Sequence, residues 1–248
     1  MRQTVQKLLY NSFFLLATTA CSTDLNSNPN QIASIPEASG ISYCDNSDTL
    51  MVVSDEGSYY EITPEGKIIS QYKLGDYDLE GVVCENDIIT FAVEDGALLQ
   101  LNRKTMEKKL LKLKSEKFQL SKLYTKKKGI EGLIKIKNLY YLAIQANKKK
   151  NSNLLVVKVG VNYAKVIEII NHKVKDSSAL EYKNKKLYIV SDNKDKLYIY
   201  NLKRDKIEKK IKLPKFAQEG IAFGKNNDVF FADDDGAVMK YTLKELGL

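Results

Sequence analysis

Acidic side chains recur in this chain at places where they could converge on a cation. Glu80, Glu131 and Glu219 each stand immediately before a glycine, and Ser39 and Ser178 take the equivalent place in two further segments, with Glu37 and Asp176 two residues earlier. A second set comprises Asp55, Glu94, Gln145, Asp192 and Asp233. Four of these lie 13 residues past the small residue that follows the first set, and Asp55 lies 15 past Gly40. So many like charges in a narrow space repel one another, and they are driven toward protonation unless a bound cation neutralises them.

The residue types also restrict which ion and which chemistry. His172 is the single histidine, and no Cys-x-x-Cys pair occurs. The ligands would therefore be oxygens and the ion hard: Ca2+ first, then Mg2+ or Mn2+. One histidine cannot build a Ser-His-Asp or Cys-His machine. Metal-assisted hydrolysis stays open, with the ion polarising a phosphoryl or carbonyl oxygen and a carboxylate activating water. His172 sits in the polar run Asn171-His-Lys173 and is expected at the surface. Ser39 and Ser178 are expected to be turn or channel-wall residues rather than nucleophiles. The acids have a plainer alternative role, accepting hydrogen bonds from backbone amides of neighbouring segments.

The elements that would position these groups form an internal repeat. Five openings, Glu37-Ala-Ser-Gly-Ile41, Asp78-Leu-Glu-Gly-Val82, Gly129-Ile-Glu-Gly-Leu133, Asp176-Ser-Ser-Ala-Leu180 and Ala217-Gln-Glu-Gly-Ile221, are spaced 41, 51, 47 and 41 residues apart. That period suits a four-stranded antiparallel sheet per unit, and such units bury both faces only when packed radially, as in a β-propeller. In the second unit, Gly81–Cys84 and Ile88–Val93 form a hairpin, Ala97–Leu101 a third strand, and Glu107–Leu113 an outer strand whose lysines alternate with leucines. The last unit lacks a fourth strand, and Gln31–Ile35 is expected to supply it. The prediction is an all-β fold: a five-bladed propeller over residues 31–248, closed by strand 31–35. The longest insertion, Lys114–Lys128, carries Phe118, Leu120, Leu123 and Tyr124, which either cap the ring or pack over a blade edge.

The chain has 248 residues and a net charge of +8, which falls to +6 without Arg2 and Lys7 of the first 21 residues. The lysines are scattered over outer strands and loops without interleaved aromatics, so no nucleic-acid partner is expected. Residues 1–21 read as an export signal: a short basic start, the apolar run Leu8–Ala17, and small residues before Cys21. Thr18-Thr-Ala-Cys21 resembles a bacterial lipoprotein cleavage site at which Cys21 would be acylated, although Thr18 replaces the usual leucine. Residues 22–30 would be a flexible tether. Ser22 after the cysteine favours the outer membrane, so the expected location is the cell envelope, lipid-anchored on the periplasmic face. A disulfide between Cys44 and Cys84 is allowed in an oxidising compartment, but free, buried thiols are expected, because inner strands of neighbouring blades usually hold such residues too far apart to pair.

The openings at residues 37–41, 78–82 and 218–221, with Ser54-Asp-Glu56 and Ser191-Asp192 closing hairpins, resemble the SdiA-regulated family of bacterial envelope proteins over roughly residues 32–243. The resemblance implies a lipid-anchored five-bladed propeller with calcium ligands among Glu80, Glu131, Glu219, Asp55, Glu94, Asp192 and Asp233. Gln145 and Ser178 break the symmetry of that set. The expected function is a calcium-binding, non-catalytic binding or scaffold module. Its partners would be the membrane through the lipid anchor and an envelope protein or small anionic ligand through the metal, with the protein itself monomeric. The alternative is a metal-dependent hydrolase of phosphate esters or lactones that uses the same acidic mouth.

Overall fold

The structure is a computed structural model, and it describes residues 28–124 and 128–248. The expected signal segment, Cys21, and tether residues 22–27 lie outside the described residues. Among the described residues, no helix is long and apolar enough to cross a membrane.

Short apolar runs separated by turns give twenty strands. A first short strand, β1 (Gln31–Ser34), is followed by four meanders of four strands. These are β2 to β5 (Ala38–Cys44, Thr49–Ser54, Ser58–Ile62, Ile68–Lys73), β6 to β9 (Leu79–Cys84, Ile88–Val93, Ala97–Asn102, Lys108–Lys114), β10 to β13 (Ile130–Ile136, Leu139–Ile144, Asn153–Val159, Ala164–Asn171) and β14 to β17 (Ser177–Lys183, Lys186–Ser191, Lys196–Asn201, Lys206–Lys212). The chain finishes with β18 to β20 (Gln218–Phe223, Asp228–Asp233, Ala237–Thr242), and β1 pairs antiparallel with β20 to complete that sheet. The result is a propeller-like all-β fold. One link is not visible in the repeat: the outer strands β9 and β13 pair in parallel through Leu113 and Ala164, which joins two meanders into one eight-stranded sheet.

The second strand of each meander is packed on both faces along its middle, so it is mostly apolar there. Leu50 to Val53 and Val229 to Ala232 are fully buried, whereas the outer strands β9 and β17 alternate lysine with leucine or isoleucine because one side meets water. The first strands approach one another through their small residues. A Cβ on Gly40 would lie 2.8 Å from the Cα of Gly81, one on Gly81 2.9 Å from Leu133, one on Gly132 3.2 Å from the Cα of Ala179, and one on Gly220 2.9 Å from the amide nitrogen of Ile41. Backbones this close leave no room for a larger side chain.

Two sequence expectations are corrected here. Cys44 and Cys84 form a disulfide, with Cα atoms 5.4 Å apart. The Gly40–Gly81 contact draws β2 and β6 together, and the amide of Cys84 donates to Ser42 Oγ at 3.1 Å, so the strand ends stay within bridging distance. His172 is buried at 1% exposure rather than at the surface. Its backbone amide donates to the carbonyl of Ser152, and its ring Nδ1 accepts the amide of Val174 at 3.3 Å. The insertion after β9 forms a single 3-10 turn at Leu120–Lys122, and Phe118, Leu120, Leu123 and Tyr124 pack against the apolar core of the second and third meanders.

Candidate metal centre

Each first strand carries a β-bulge at the same place. The register slips between Ala38 and Gly40, Leu79 and Gly81, Ile130 and Gly132, Ser177 and Ala179, and Gln218 and Gly220. The skipped residues are Ser39, Glu80, Glu131, Ser178 and Glu219. A bulge leaves one residue out of the ladder and re-aims its side chain, while the small residue that follows permits the close approach of the next strand. The Glu-Gly dipeptide is therefore one device: glycine brings the strands together, and the bulge turns the glutamate to their common side.

Glu80, Glu131 and Glu219 each place a carboxylate oxygen within 4.8 Å of the others. No lysine or arginine forms an ion pair with them among the described residues. Burial comes first in all three: with repulsion from Glu94 and Asp176 it pushes Glu131 up to about 8, with repulsion from Glu131 and Asp192 it pushes Glu219 up to about 9, and with repulsion from Glu131 and Glu219 it raises Glu80 well above the carboxylate range. A cation fits this set. Three hard oxygen donors converge without a counter-charge, and no sulfur or imidazole ligand stands among them.

Ser39 and Ser178 do different work. The Ser39 hydroxyl donates to the carbonyl of Leu79, and that of Ser178 donates to the carbonyl of Gln218 at 2.5 Å. Each fastens its own first strand to the next one in sequence.

The second set of acids disperses. Asp192 accepts the amide of Gln218 at 3.1 Å, and Asp233 accepts the amides of Ala217 and Asp235, both at 3.2 Å. Asp176 receives both the backbone and side-chain amides of Asn193 at 3.0 and 2.6 Å. Glu94 neighbours Asp78 and is pushed up to about 7, chiefly by burial. Asp55 joins Glu37 and Asp234 in a second carboxylate group. Its Oδ1 is buried without a hydrogen-bond partner, and burial together with Glu37 raises it to about 6. Asp234 was not among the sequence candidates because the spacing selected Asp233, but the run Asp233-Asp-Asp235 signals a turn that can turn either carboxylate inward. Gln145 lies beside Glu131, Asp176, Asp192 and Glu219 around a cavity of about 60 Å³.

The family model described as SdiA-regulated matches residues 20–232. Among solved structures, the crystal structure of Myxococcus xanthus glutaminyl cyclase is similar, with a TM-score of 0.66 over 85% of this chain and 91% of that one at 12% identity. That likeness concerns the fold alone. No curated protein matches the chain in sequence.

Proposed function

The chain belongs to the SdiA-regulated family, and we propose that it is a five-bladed β-propeller over residues 31–248 that holds Ca2+ at its acidic mouth and serves the bacterial envelope as a non-catalytic binding or scaffold module. The observation that carries this reading is the trio of bulge-aimed glutamates, none of them paired with a lysine or arginine among the described residues. Glu80, Glu131 and Glu219 would hold the ion, with Asp55, Glu94, Asp192 and Asp233 as outer acids that draw it in. A bound Ca2+ would supply positive charge and tie three meanders together at the axis. The small-residue contacts from Gly40 through Gly81 and Gly132 to Ala179, the Ser178 bond to Gln218 and the contact of Gly220 with Ile41 link the five first strands in a cycle, which supports five blades.

The small volume beside the glutamates favours a structural or recognition role over hydrolysis. About 60 Å³ accommodates water around an ion but no ester substrate. Anchoring through acylated Cys21 on the periplasmic face of the outer membrane agrees with the Cys44–Cys84 disulfide, since such bonds persist in oxidising compartments. The partners would be the membrane through that lipid and an envelope protein or small anionic ligand reaching the ion, with the protein as a monomer.

Metal analysis of the purified chain, combined with melting in Ca2+ and in chelator, tests the reading. Wild type should retain Ca2+ and melt higher in it, and a variant carrying Glu80→Gln, Glu131→Gln and Glu219→Gln should lose both responses. Equal stabilisation of wild type and variant would refute the site. One observation favours the hydrolase alternative: a cavity of about 370 Å³ lies next to the Glu94 and Asp78 carboxylates. Metal-dependent phosphoesterase or lactonase turnover abolished by Glu94→Gln would establish it.

A further inference from the structure

The first strands run away from the acidic mouth and end around a second cavity, of about 360 Å³, at the far end of the molecule. Tyr43, Tyr182 and Phe223 give it aromatic walls, and Glu181 and Lys183 both line it. Residues two apart on a strand face the same side, so these opposite charges of β14 share one aspect of the cavity.

They do not neutralise each other. Glu181 Oε1 instead accepts the amide of Tyr182 at 2.6 Å, and Lys183 Nζ lies over the Phe223 ring, 5.0 Å from its centroid. Two other lysines of the cavity are already committed: Lys225 pairs with Asp48 at 3.3 Å and Lys135 pairs with Glu85. Among the described residues, Glu181, Lys183 and Asp45, which also lines the cavity, form no ion pair, and Lys183 acts on Glu181 only from beyond contact distance. Burial pushes the Glu181 carboxyl up to about 7, against the smaller opposing pull of backbone amides and of Lys183.

We propose that this cavity binds a small zwitterion with an apolar or aromatic side group, of the free amino acid class. An ammonium would complete Glu181, a carboxylate would complete Lys183, and the side group would lie against Tyr43, Tyr182 and Phe223. A plain amine would leave Lys183 without a partner, and a plain acid would leave Glu181 without one. Either omission leaves a charged group inside the cavity uncompensated, which is the condition under which a site rejects an analogue most strongly.

Calorimetry with L-phenylalanine, phenethylamine and 3-phenylpropionate as probes tests this directly, after a screen of the twenty common amino acids by thermal shift. L-Phenylalanine, or the best amino acid of the screen, should bind at least tenfold more tightly than its amine-only and acid-only analogues. Glu181→Gln and Lys183→Met should each weaken it tenfold or more, and chelator should leave it unchanged because the acidic mouth is not involved. Lys183 is half-exposed on a strand end, so its variant keeps the test open if Glu181→Gln fails to fold. Equal binding of the three probes, no binding by any amino acid, insensitivity to both substitutions, or loss of binding in chelator would each overturn the proposal.

Discussion

The two ends of the first strands carry opposite solutions to the problem of placing charge near a crowded axis. At the start, bulges turn Glu80, Glu131 and Glu219 onto one another with no positive group to answer them. At the finish, about 13 Å further along strands that rise about 3.3 Å per residue, Cys44 and Cys84 are covalently joined, Lys135 pairs with Glu85 and Lys225 with Asp48, and both signs of charge are present. One mouth is stabilised by covalent and ionic closure within the chain. The other is complete only when something from outside supplies positive charge. A cation site is therefore expected at the acidic end and not at the other, and the contrast can be tested from both sides.

The largest effect should come from the acidic end in the absence of metal. Glu131 and Glu219 have folded pKa values of about 8 and 9, above the ordinary glutamate value of 4.5. The folded state thus keeps protons that the unfolded chain releases. The stability linked to them is fully present below about pH 4.5 and is lost as pH rises through 8 to 9, at up to about 1.4 kcal/mol per pH unit for each group. The two repel each other, so their combined effect is smaller than twice one. In chelator, the melting temperature should fall steadily from pH 5 to pH 9, saturating Ca2+ should reverse the fall, and the triple glutamine variant should flatten it. A flat wild-type profile in chelator would mean that the three carboxylates do not confront one another.

At the other end, the disulfide closes a sequence separation of 40 residues, which the chain-entropy argument values at roughly 4 kcal/mol. Cys44→Ala with Cys84→Ala should lower stability toward water by that order in urea titrations while leaving Ca2+ affinity unchanged, because groups this far apart act nearly additively. A parallel loss of Ca2+ affinity would show that the two mouths are mechanically one. His172 must be separated from both. Its ring is buried, Nδ1 accepts the amide of Val174 at 3.3 Å, Nε2 lacks a hydrogen-bond partner, and burial depresses its pKa to about 4. A base depressed on folding contributes stability above its unfolded pKa of about 6.5, and that contribution is lost as pH falls toward 4, at a cost of about 3 kcal/mol. His172→Leu should remove this acid limb and leave the alkaline limb of the glutamates intact. Persistence of the acid limb in the variant would assign it elsewhere.

The repeat, its four-strand units and the pairing of Gln31–Ser34 with the last sheet were legible because each rests on local signals: apolar runs, turn residues and an unpartnered strand. The convergence of Glu80, Glu131 and Glu219 was legible because one dipeptide recurs. The bulge that aims them was not, since a one-residue slip in register leaves no mark on a short apolar strand. The disulfide was missed for a related reason. It depends on how closely neighbouring first strands approach, which the Gly40–Gly81 contact and the bond from the Cys84 amide to Ser42 bring about. His172 was misplaced because its polar neighbours Asn171 and Lys173 suggested a surface run, whereas the ring itself is buried and accepts the amide of Val174.

The smallest expected effect distinguishes a ligand from a fastener at the same bulge position. Ser39 and Ser178 occupy the places taken elsewhere by the glutamates, yet their hydroxyls donate to the carbonyls of Leu79 and Gln218 on the next first strand. Losing one such bond costs about 1 kcal/mol, since the carbonyl keeps a second lone pair and its strand neighbours. Ser39→Ala and Ser178→Ala should therefore each lower stability by about that amount and leave Ca2+ affinity within twofold, whereas Glu131→Gln should weaken Ca2+ more than tenfold with a smaller effect on the metal-free fold. If Ser178→Ala instead costs Ca2+ affinity while stability is unchanged, its hydroxyl coordinates the ion, and the contrast between fastening serines and binding glutamates fails at that position.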